Sequence, residues 1–222
     1  MNLAIVVPIK SFSAAKHRLD ALLQQTERVR LARAMAEDVL ETVGRATGYG
    51  HFAVSDDPEA LALAARYGVE PIEDRVSQGQ SAAVRQGFDA AWDRGFSAAV
   101  TIPGDVPGVS LDDLTTLCTF RPEVEVVLVP DRDNLGTNGL RVIPPHAIAL
   151  RFGEDSLALH QAEAARAGRS VVVLPLASLA VDLDRPEDVA AFLRRAPATR
   201  ALQVLVELKI GDRLLALDQR RA

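Results

Sequence analysis

The sequence contains few of the residues on which covalent catalysis and thiolate metal sites depend. Its 222 residues include one cysteine, Cys118, and four histidines. A single cysteine excludes an internal disulfide and any multi-cysteine metal site, and the histidines show no ligand-like spacing. No serine–histidine–aspartate pattern, Walker A loop or GxGxxG fingerprint occurs. Any chemistry must therefore come from other side chains.

Long apolar runs and a strong charge bias are also absent. The first apolar run, residues 3–7, is too short for a signal peptide or a membrane span, so we expect a cytoplasmic protein without a membrane partner. A net charge of −5 does not indicate a surface that coats nucleic acid. The apolar fraction of 48% is ordinary for a globular protein and sufficient for one large domain.

Short apolar runs alternate with amphipathic segments along most of the chain. The runs that predict strands are 3–9, 51–55, 69–72, 98–102, 124–130, 137–143 and 171–174. Most intervening segments have a 3.6-residue period and begin at capping residues such as Asp57 and Ser110. The alternation predicts a three-layer αβα domain on a mainly parallel sheet, covering residues 1–198.

The segment 199–222 has a different pattern. Apolar residues alternate strictly from Leu202 to Ile210, and Gly211-Asp212 suits a tight turn before a second apolar run. This pattern predicts a β-hairpin. We expect its apolar face to be covered by the domain or by a second copy of the chain, in a homodimer.

Three carboxylates are predicted to lie at strand ends. Asp105 follows the run 98–102 after Pro103-Gly104, while Asp182 and Asp184 alternate with apolar residues, so extended backbone would place both on one face. Open α/β sheets bind ligands at this edge, although an aspartate here can instead cap a helix or turn. Such hard oxygen ligands select Mg²⁺ or Mn²⁺.

Basic residues occupy the loop after the first predicted strand. Lys10, Lys16 and Arg18 can contact phosphates there, although a solvated basic loop would have the same composition. A second polar loop contains Gly79 just before a predicted helix, whose N-terminus favours anions. Carboxylates and cations at one sheet edge are what phosphoryl transfer requires.

Five motifs, in order over residues 3–193, resemble the guanylyltransferases of coenzyme F-420 (deazaflavin) biosynthesis. They are VPIK at 7–10 with AKHRL at 15–19, PGDVP at 103–107, DR at 131–132 with GTN at 136–138, FG at 152–153 with Ser156, and VDLDRPED at 181–188. These enzymes have the Rossmann-like nucleotide-diphospho-sugar transferase fold. The tail after residue 193 has no counterpart that we identify in the family pattern.

The resemblance implies transfer of GMP from GTP to the phosphate of phosphoenolpyruvate, 2-phospho-L-lactate or 3-phospho-D-glycerate, with release of pyrophosphate. No general base is needed, because the acceptor phosphate is already anionic. The implied roles are Mg²⁺ or Mn²⁺ binding by Asp105, Asp182 and Asp184, nucleotide binding by Lys10, Lys16, Arg18, Gly79 and Gln80, and acid binding by Thr137, Gly153 and Ser156. Asp105, Lys16 and Arg18 would be the catalytic residues.

One departure from the family pattern leaves the acceptor open. Glu154 and Asp155 replace small residues of the family pattern, and they would repel a phosphoacid unless they point outward, reach the metal or only favour the first helical turn. Altered polar groups could favour the glycerate. One alternative is a nucleotidyltransferase that acts on a sugar phosphate or a molybdopterin-type acceptor, although the LAGGxSxRMG loop typical of the molybdenum enzymes is absent. Another alternative is a non-catalytic nucleotide-binding module.

His160 lies in a predicted helix, and we expect it on the surface of that helix.

Overall fold

A mixed sheet of seven strands forms the centre of the molecule in the computed structural model, which describes residues 2–14, 16–75 and 78–221. The strands are β1 (Leu3–Pro8), β2 (Gly50–Ser55), β3 (Glu70–Glu73), β4 (Ala98–Thr101), β5 (Val126–Pro130), β6 (Thr137–Val142) and β7 (Val171–Val173). The helices are α1 (Gln25–Arg45), α2 (Pro58–Arg66), α3 (Gln80–Asp93), α4 (Leu111–Thr119), α5 (Ser156–Arg166), α6 (Pro186–Arg195), α7 (Arg200–Glu207) and α8 (Ile210–Arg221).

The strand order is β3-β2-β1-β4-β6-β5-β7, and β6 is the strand that runs antiparallel to its neighbours. The other pairs are parallel. Because β6 runs in reverse, its first residues lie at the edge where β4 and β5 end. Thr137, for example, pairs with Pro130, the last residue of β5. The start of β6 and the loops that follow β4 and β5 therefore share one sheet edge, the edge at which open α/β sheets bind ligands.

Helices cover both faces of the sheet. Every residue of β1, β4, β5 and β6 is buried, and β1 and β5 accordingly have apolar residues on both faces rather than an alternating pattern. One face packs mainly against α3 and α5, and the other against α1, α4 and the C-terminal helices. The predicted three-layer αβα domain is confirmed. None of the helices in the described ranges has the length and apolar character needed to cross a bilayer.

The predicted hairpin at 199–222 is wrong, because this segment forms the helices α7 and α8. The Thr199 side chain caps α7 by accepting a hydrogen bond from the backbone N–H of Leu202 at 3.1 Å. The carboxylate of Asp38 on α1 accepts bonds from the backbone N–H groups of Arg200 and Ala201, both at 2.9 Å. The tail thus packs on the domain, and its association with a second copy of the chain stays a prediction.

Candidate active site

A cavity of about 510 Å³ opens at the edge of the sheet where β1, β2 and β4 end. The predicted nucleotide-binding residues and two of the predicted metal ligands line it, namely Lys10, Lys16, Arg18, Gly79, Gln80, Asp105 and Asp184. These residues come from four separate loops, and the sheet edge brings them together. The volume lies within the range of small-molecule sites in proteins.

Lys16 forms the centre of this cavity's charged wall. Its Nζ atom lies 2.7 Å from Oδ2 of Asp105 and 3.1 Å from Oδ1 of Asp184. The side chain is only 5% exposed. Burial opposes the charge of the ammonium, but the two carboxylates outweigh it and raise the pKa of Lys16 above its ordinary value. Lys16 is therefore a buried, protonated cation held by two anions.

A second cation, Arg18, contacts the carboxylate of Asp184 from the solvent side. The Arg18 guanidinium lies 3.2 Å from Oδ2 of Asp184, and the Arg18 side chain is exposed. Burial alone would raise the pKa of Asp184, but Lys16, with smaller effects of Lys10 and Arg18, holds it below its ordinary value. Asp184 is therefore ionised at neutral pH and faces three cations.

Asp182 has a more apolar and more anionic environment than Asp184. Burial, followed by the neighbouring Asp105 carboxylate, raises the pKa of Asp182 to about 6. Nδ2 of Asn138 donates a hydrogen bond to Oδ1 of Asp182 at 3.2 Å, which partly opposes that rise. Asp184 thus faces cations, whereas Asp182 faces mainly the carboxylate of Asp105 and the amide of Asn138.

The backbone at 181–184 is not the predicted extended segment. The N–H of Asp184 donates to the carbonyl of Asp182 at 3.1 Å, which bends the chain between the two carboxylates. The N–H of Leu183 donates to the carbonyl of Asp105 at 3.2 Å and ties this loop to the end of β4. The carboxylates reach one edge through this loop contact and not through strand alternation.

The three aspartates do not form a ready-made metal cage. Within residues 2–14, 16–75 and 78–221, no group of three histidine, cysteine, aspartate or glutamate side chains is arranged to hold a metal ion. The Lys16 ammonium lies between Asp105 and Asp184, where it satisfies both carboxylates. A cation is thus already present at the centre of the carboxylate pair.

Gly79 and Gln80 form the opposite wall of the cavity at the start of α3. Gly79 has a φ of +89°, a conformation that glycine adopts without the strain of other residues. It immediately precedes the first turn of α3, where backbone N–H groups and the helix dipole favour an anion. This geometry is compatible with the predicted nucleotide-binding role of Gly79 and Gln80, which stays a prediction.

The predicted acid-binding residues lie beside the cavity and not in its wall. Thr137 and Ser156 are buried, and Gly153 is exposed with a φ of +129°. Thr137 precedes Asn138, whose amide contacts Asp182. The start of β6 therefore connects the acid-binding residues to the carboxylates.

Glu154 and Asp155 are both exposed, and the Asp155 side chain makes no capping hydrogen bond to α5. Of the explanations left open by the sequence, the structure supports the outward orientation. Because both residues are exposed, solvent and salt screen their charges.

The predicted surface position of His160 is also wrong. It is fully buried, and its Nδ1 atom lies 3.1 Å from Oγ1 of Thr137. The helical spacing from Ser156 to His160 and Ala164, all buried on α5, is the signal that could have predicted this position. Asn138 was part of a quoted motif, but only the fold shows its contact with Asp182.

A family model described as "Guanylyl transferase CofC like" matches residues 3–214. The chain belongs to this family. The family recognised from its motifs is thereby confirmed, and the match extends through α7 into α8. The expectation that the tail of this CofC-like guanylyl transferase has no counterpart in the family is therefore wrong.

Relatives of this CofC-like chain are named after three different acids. The phosphoenolpyruvate guanylyltransferase of Conexibacter woesei is 37% identical, with 90% of this chain and 91% of the relative aligned. The 3-phospho-D-glycerate guanylyltransferase of Phenylobacterium zucineum is 32% identical, with 92% and 95% aligned. The 2-phospho-L-lactate guanylyltransferase of Methanothermobacter thermautotrophicus is 29% identical, with 94% and 92% aligned. Overall identity therefore does not single out one acid.

A solved structure supports the fold of this CofC-like chain. The structure, from Desulfovibrio desulfuricans G20, is provisionally described as a nucleotide-diphospho-sugar transferase. It aligns with a TM-score of 0.75, 16% identity and 98% of each chain. At this identity the likeness shows the fold alone, and it confirms the Rossmann-like fold that the motifs imply.

Proposed function

We propose that this chain transfers GMP from GTP to the phosphate of a three-carbon phosphoacid, with release of pyrophosphate, in coenzyme F-420 biosynthesis. The observation that carries the proposal is the Lys16 ammonium, held by Asp105 and Asp184 at the wall of a cavity of about 510 Å³. The buried cation lies between two carboxylates, and the N-terminus of α3 lines the same cavity. A triphosphate site requires such positive charge and backbone N–H donors.

The nucleotide side of the reaction uses the basic loop. Lys10, Lys16 and Arg18 would contact the triphosphate and stabilise the negative charge that develops on the leaving pyrophosphate. Gly79 and Gln80, at the start of α3, would hold the guanine nucleotide from the opposite wall. Lys16 is pre-positioned for this role, because two ion pairs and burial fix its ammonium before any ligand binds.

The carboxylates have the chemistry of divalent-cation ligands, although the described side chains are not already arranged as a metal site. Asp105 and Asp184 already share one cation, and Mg²⁺ usually takes one or two carboxylates together with phosphate oxygens. Asp105, Asp182 and Asp184 would hold Mg²⁺ or Mn²⁺, which when bound would neutralise charge on the phosphates. Because Lys16 contacts two of these carboxylates, its ammonium and a divalent cation compete for the same oxygens.

The transfer step needs positioning rather than proton removal. An oxygen of the acid's phosphate attacks the α-phosphorus of GTP, the bond between the α-phosphorus and its bridging oxygen breaks, and the electron pair leaves with pyrophosphate. The acceptor oxygen is already anionic, so no side chain has to act as a general base. Thr137, Gly153 and Ser156 would hold the acid in line for this attack.

Pyrophosphate release tests the proposal. The wild-type chain is incubated with Mg²⁺, GTP and each of phosphoenolpyruvate, 2-phospho-L-lactate and 3-phospho-D-glycerate in turn, with ATP in place of GTP as the nucleotide control. We expect release with GTP and at least one acid. Release with none of the three acids would overturn the acid assignment.

The Asp105→Asn variant tests the assignment of the site. We expect it to lose pyrophosphate release while keeping the wild-type melting temperature within a few degrees. Asp112→Asn, on the exposed face of α4, is the matched control that removes one carboxylate outside the cavity. Equal activity of both variants would contradict the location of the site.

A further inference from the structure

His160 links the elements that carry the predicted acid-binding residues. Its Nδ1 atom lies 3.1 Å from Oγ1 of Thr137 at the start of β6. Its Nε2 atom accepts a hydrogen bond from the backbone N–H of Arg151 at 2.9 Å. The ring also packs edge-on against Phe152, with 4.8 Å between ring centroids. One buried side chain of α5 thus holds both Thr137 and the loop that leads to Gly153 and Ser156.

These contacts fix the tautomer of the ring. A backbone N–H can only donate, so Nε2 of His160 must be the acceptor and carries no proton. A neutral imidazole then carries its proton on Nδ1. Burial lowers the pKa of His160 to about 4, so the neutral ring persists at physiological pH.

The tautomer determines what the Thr137 hydroxyl can do. Because this tautomer carries its proton on Nδ1, the ring can only donate in the 3.1 Å contact, and we assign Oγ1 of Thr137 as the acceptor. A hydroxyl that accepts in this contact keeps its own O–H proton for another acceptor. The phosphate and carboxylate oxygens of a phosphoacid are acceptors, so the O–H proton of Thr137 is available to the bound acid.

We propose that His160 is a positioning residue that holds the Thr137 hydroxyl as a hydrogen-bond donor to the acceptor acid. The inference rests on the proposed function and adds to it, because it assigns a direction to the hydrogen bond between Thr137 and the acid. His160 itself does not touch the acid or the reacting phosphates. The loop that carries Arg151 and Phe152 is held by His160 and also by Ser81, because the N–H of Phe152 donates to Oγ of Ser81 at 2.9 Å.

Two substitutions separate the two contacts of the ring. In His160→Asn, the amide nitrogen can occupy the place of Nδ1 and donate to Thr137, whereas the acceptor for Arg151 is lost. In His160→Gln, the amide oxygen can occupy the place of Nε2 and accept from Arg151, whereas the donor to Thr137 is lost. His146→Gln removes an exposed histidine elsewhere on the surface and serves as the control.

The Michaelis constants of both substrates are the measurement, each determined at a saturating concentration of the other. We expect His160→Gln to raise KM for the acid about tenfold and to leave KM for GTP within twofold, the size of one lost hydrogen bond. His160→Asn should keep KM for the acid within about threefold of wild type. Thr137→Val should match His160→Gln, and the double variant should be no worse than Thr137→Val, since both remove one interaction.

The outcomes distinguish this inference from the proposed function. If the wild type releases no pyrophosphate with any acid, the proposed function fails. If the wild type is active and His160→Gln keeps KM for the acid, the positioning role is overturned. A parallel rise of both Michaelis constants in both His160 variants, together with a lower melting temperature, would also overturn it, because that result indicates general destabilisation.

A measurement on the unmodified chain covers the case in which a variant does not fold. Nitrogen-15 chemical shifts of histidine-labelled wild type report which ring nitrogen carries the proton, and the four histidines give few signals. We expect His160 to be neutral and protonated at Nδ1 at pH 7. A proton on Nε2 would overturn the inference.

Discussion

Two buried cations in this molecule have partners of opposite kinds. Lys16 lies between the carboxylates of Asp105 and Asp184, at the wall of the cavity. Arg141, on β6, is fully buried, and its guanidinium donates to four backbone carbonyls at the end of α4 and in the turn that follows. Those carbonyls belong to Leu117, Cys118, Arg121 and Val124. Lys16 is thus held by charges, and Arg141 is held by peptide dipoles.

The difference in partners also sets the pKa of each group in opposite directions. The carboxylates raise the pKa of Lys16 against the effect of burial, whereas burial dominates at Arg141 and lowers its pKa. Carbonyls at the C-terminal end of a helix cannot be exchanged for other ligands without unwinding the helix. Carboxylates can exchange one cation for another, so the Lys16 contacts are suited to a site that binds a changing set of charges.

The first way to test this comparison is to remove the amine of Lys16. We expect Lys16→Met to lower kcat for pyrophosphate release by about 10²–10³-fold, the effect of losing one well-placed charged donor in a transition state. Lys209→Met is the control, because Lys209 is exposed and has a left-handed backbone like Lys16, with φ of +52° against +63°. Loss of activity in both variants, or in neither, would contradict the role assigned to Lys16.

Removing the guanidinium of Arg141 should affect the fold rather than the chemistry. We expect Arg141→Met to lower the free energy of unfolding by about 3 kcal/mol, because four buried carbonyls lose their donors. Urea denaturation measures this loss, and kcat of the folded fraction should stay within twofold of wild type. A stable but inactive Arg141→Met variant would contradict this assignment, because it would show that Arg141 contributes to activity and not to stability.

His160 extends the comparison to a buried group that stays neutral. Its pKa is lowered to about 4 by burial, against an unperturbed value of 6.5. The folded state therefore binds fewer protons than the unfolded state between these values, so stability is full above pH 6.5 and falls as the pH is lowered toward 4. We expect a loss of about 2 kcal/mol between pH 7 and pH 5 from this residue.

The measurement is the pH dependence of unfolding in wild type and in His160→Asn, each followed by urea denaturation. The variant lacks the titrating ring, so its stability should fall less over the same range. Parallel curves for the two chains would show that His160 does not titrate as described.

The smallest expected effect concerns an ion pair that holds the tail. Arg213 on α8 contacts the carboxylate of Glu27 on α1 at 2.7 Å, and this hydrogen bond is the main reason that the pKa of Glu27 falls to about 2. We expect Arg213→Met to lower the free energy of unfolding at pH 7 by about 0.5–1 kcal/mol, since Arg213 is partly exposed. The pair's contribution is present above the ordinary glutamate pKa and is lost as the pH falls toward 2.

Thermal unfolding at pH 7 and pH 3 measures this contribution. The difference between wild type and Arg213→Met should shrink at the lower pH, where Glu27 begins to protonate. A difference that is unchanged at pH 3 would mean that the stabilisation comes from the packing of the Arg213 stem.

The strands and the edge that carries the site could be predicted from the sequence because their signals are local. The run 98–102 consists of apolar and β-branched residues, and Pro103-Gly104 stops it before Asp105. Similar local breaks place the basic loop after β1 and Gly79 before α3. These signals, together with the motifs, were enough to name seven of the residues that line the cavity, whereas the predicted site residues Asp182, Thr137, Gly153 and Ser156 do not line it.

The tail and the loop at 181–184 could not be predicted because contacts distant in sequence decide their structure. Leu202 to Ile210 alternate at a period of two, but Ala201, Val204 and Leu205 also fit a helical period, and the Asp38 carboxylate on α1 stabilises the helix. Similarly, the bend between Asp182 and Asp184 depends on the hydrogen bond from Leu183 to Asp105. Local periodicity does not contain either contact.

The first two residues of β6, Thr137 and Asn138, contact two different parts of the candidate site. Asn138 contacts the carboxylates through Asp182, whereas its neighbour Thr137 contacts α5 through His160. If Thr137 contacts the acid as proposed, a change in α5 or in residues 151–156 would reshape the recognition of the acid without disturbing the wall that carries Lys16. Such separation would let one scaffold take different acceptors while keeping the same nucleotide chemistry, which accords with relatives named after three different acids.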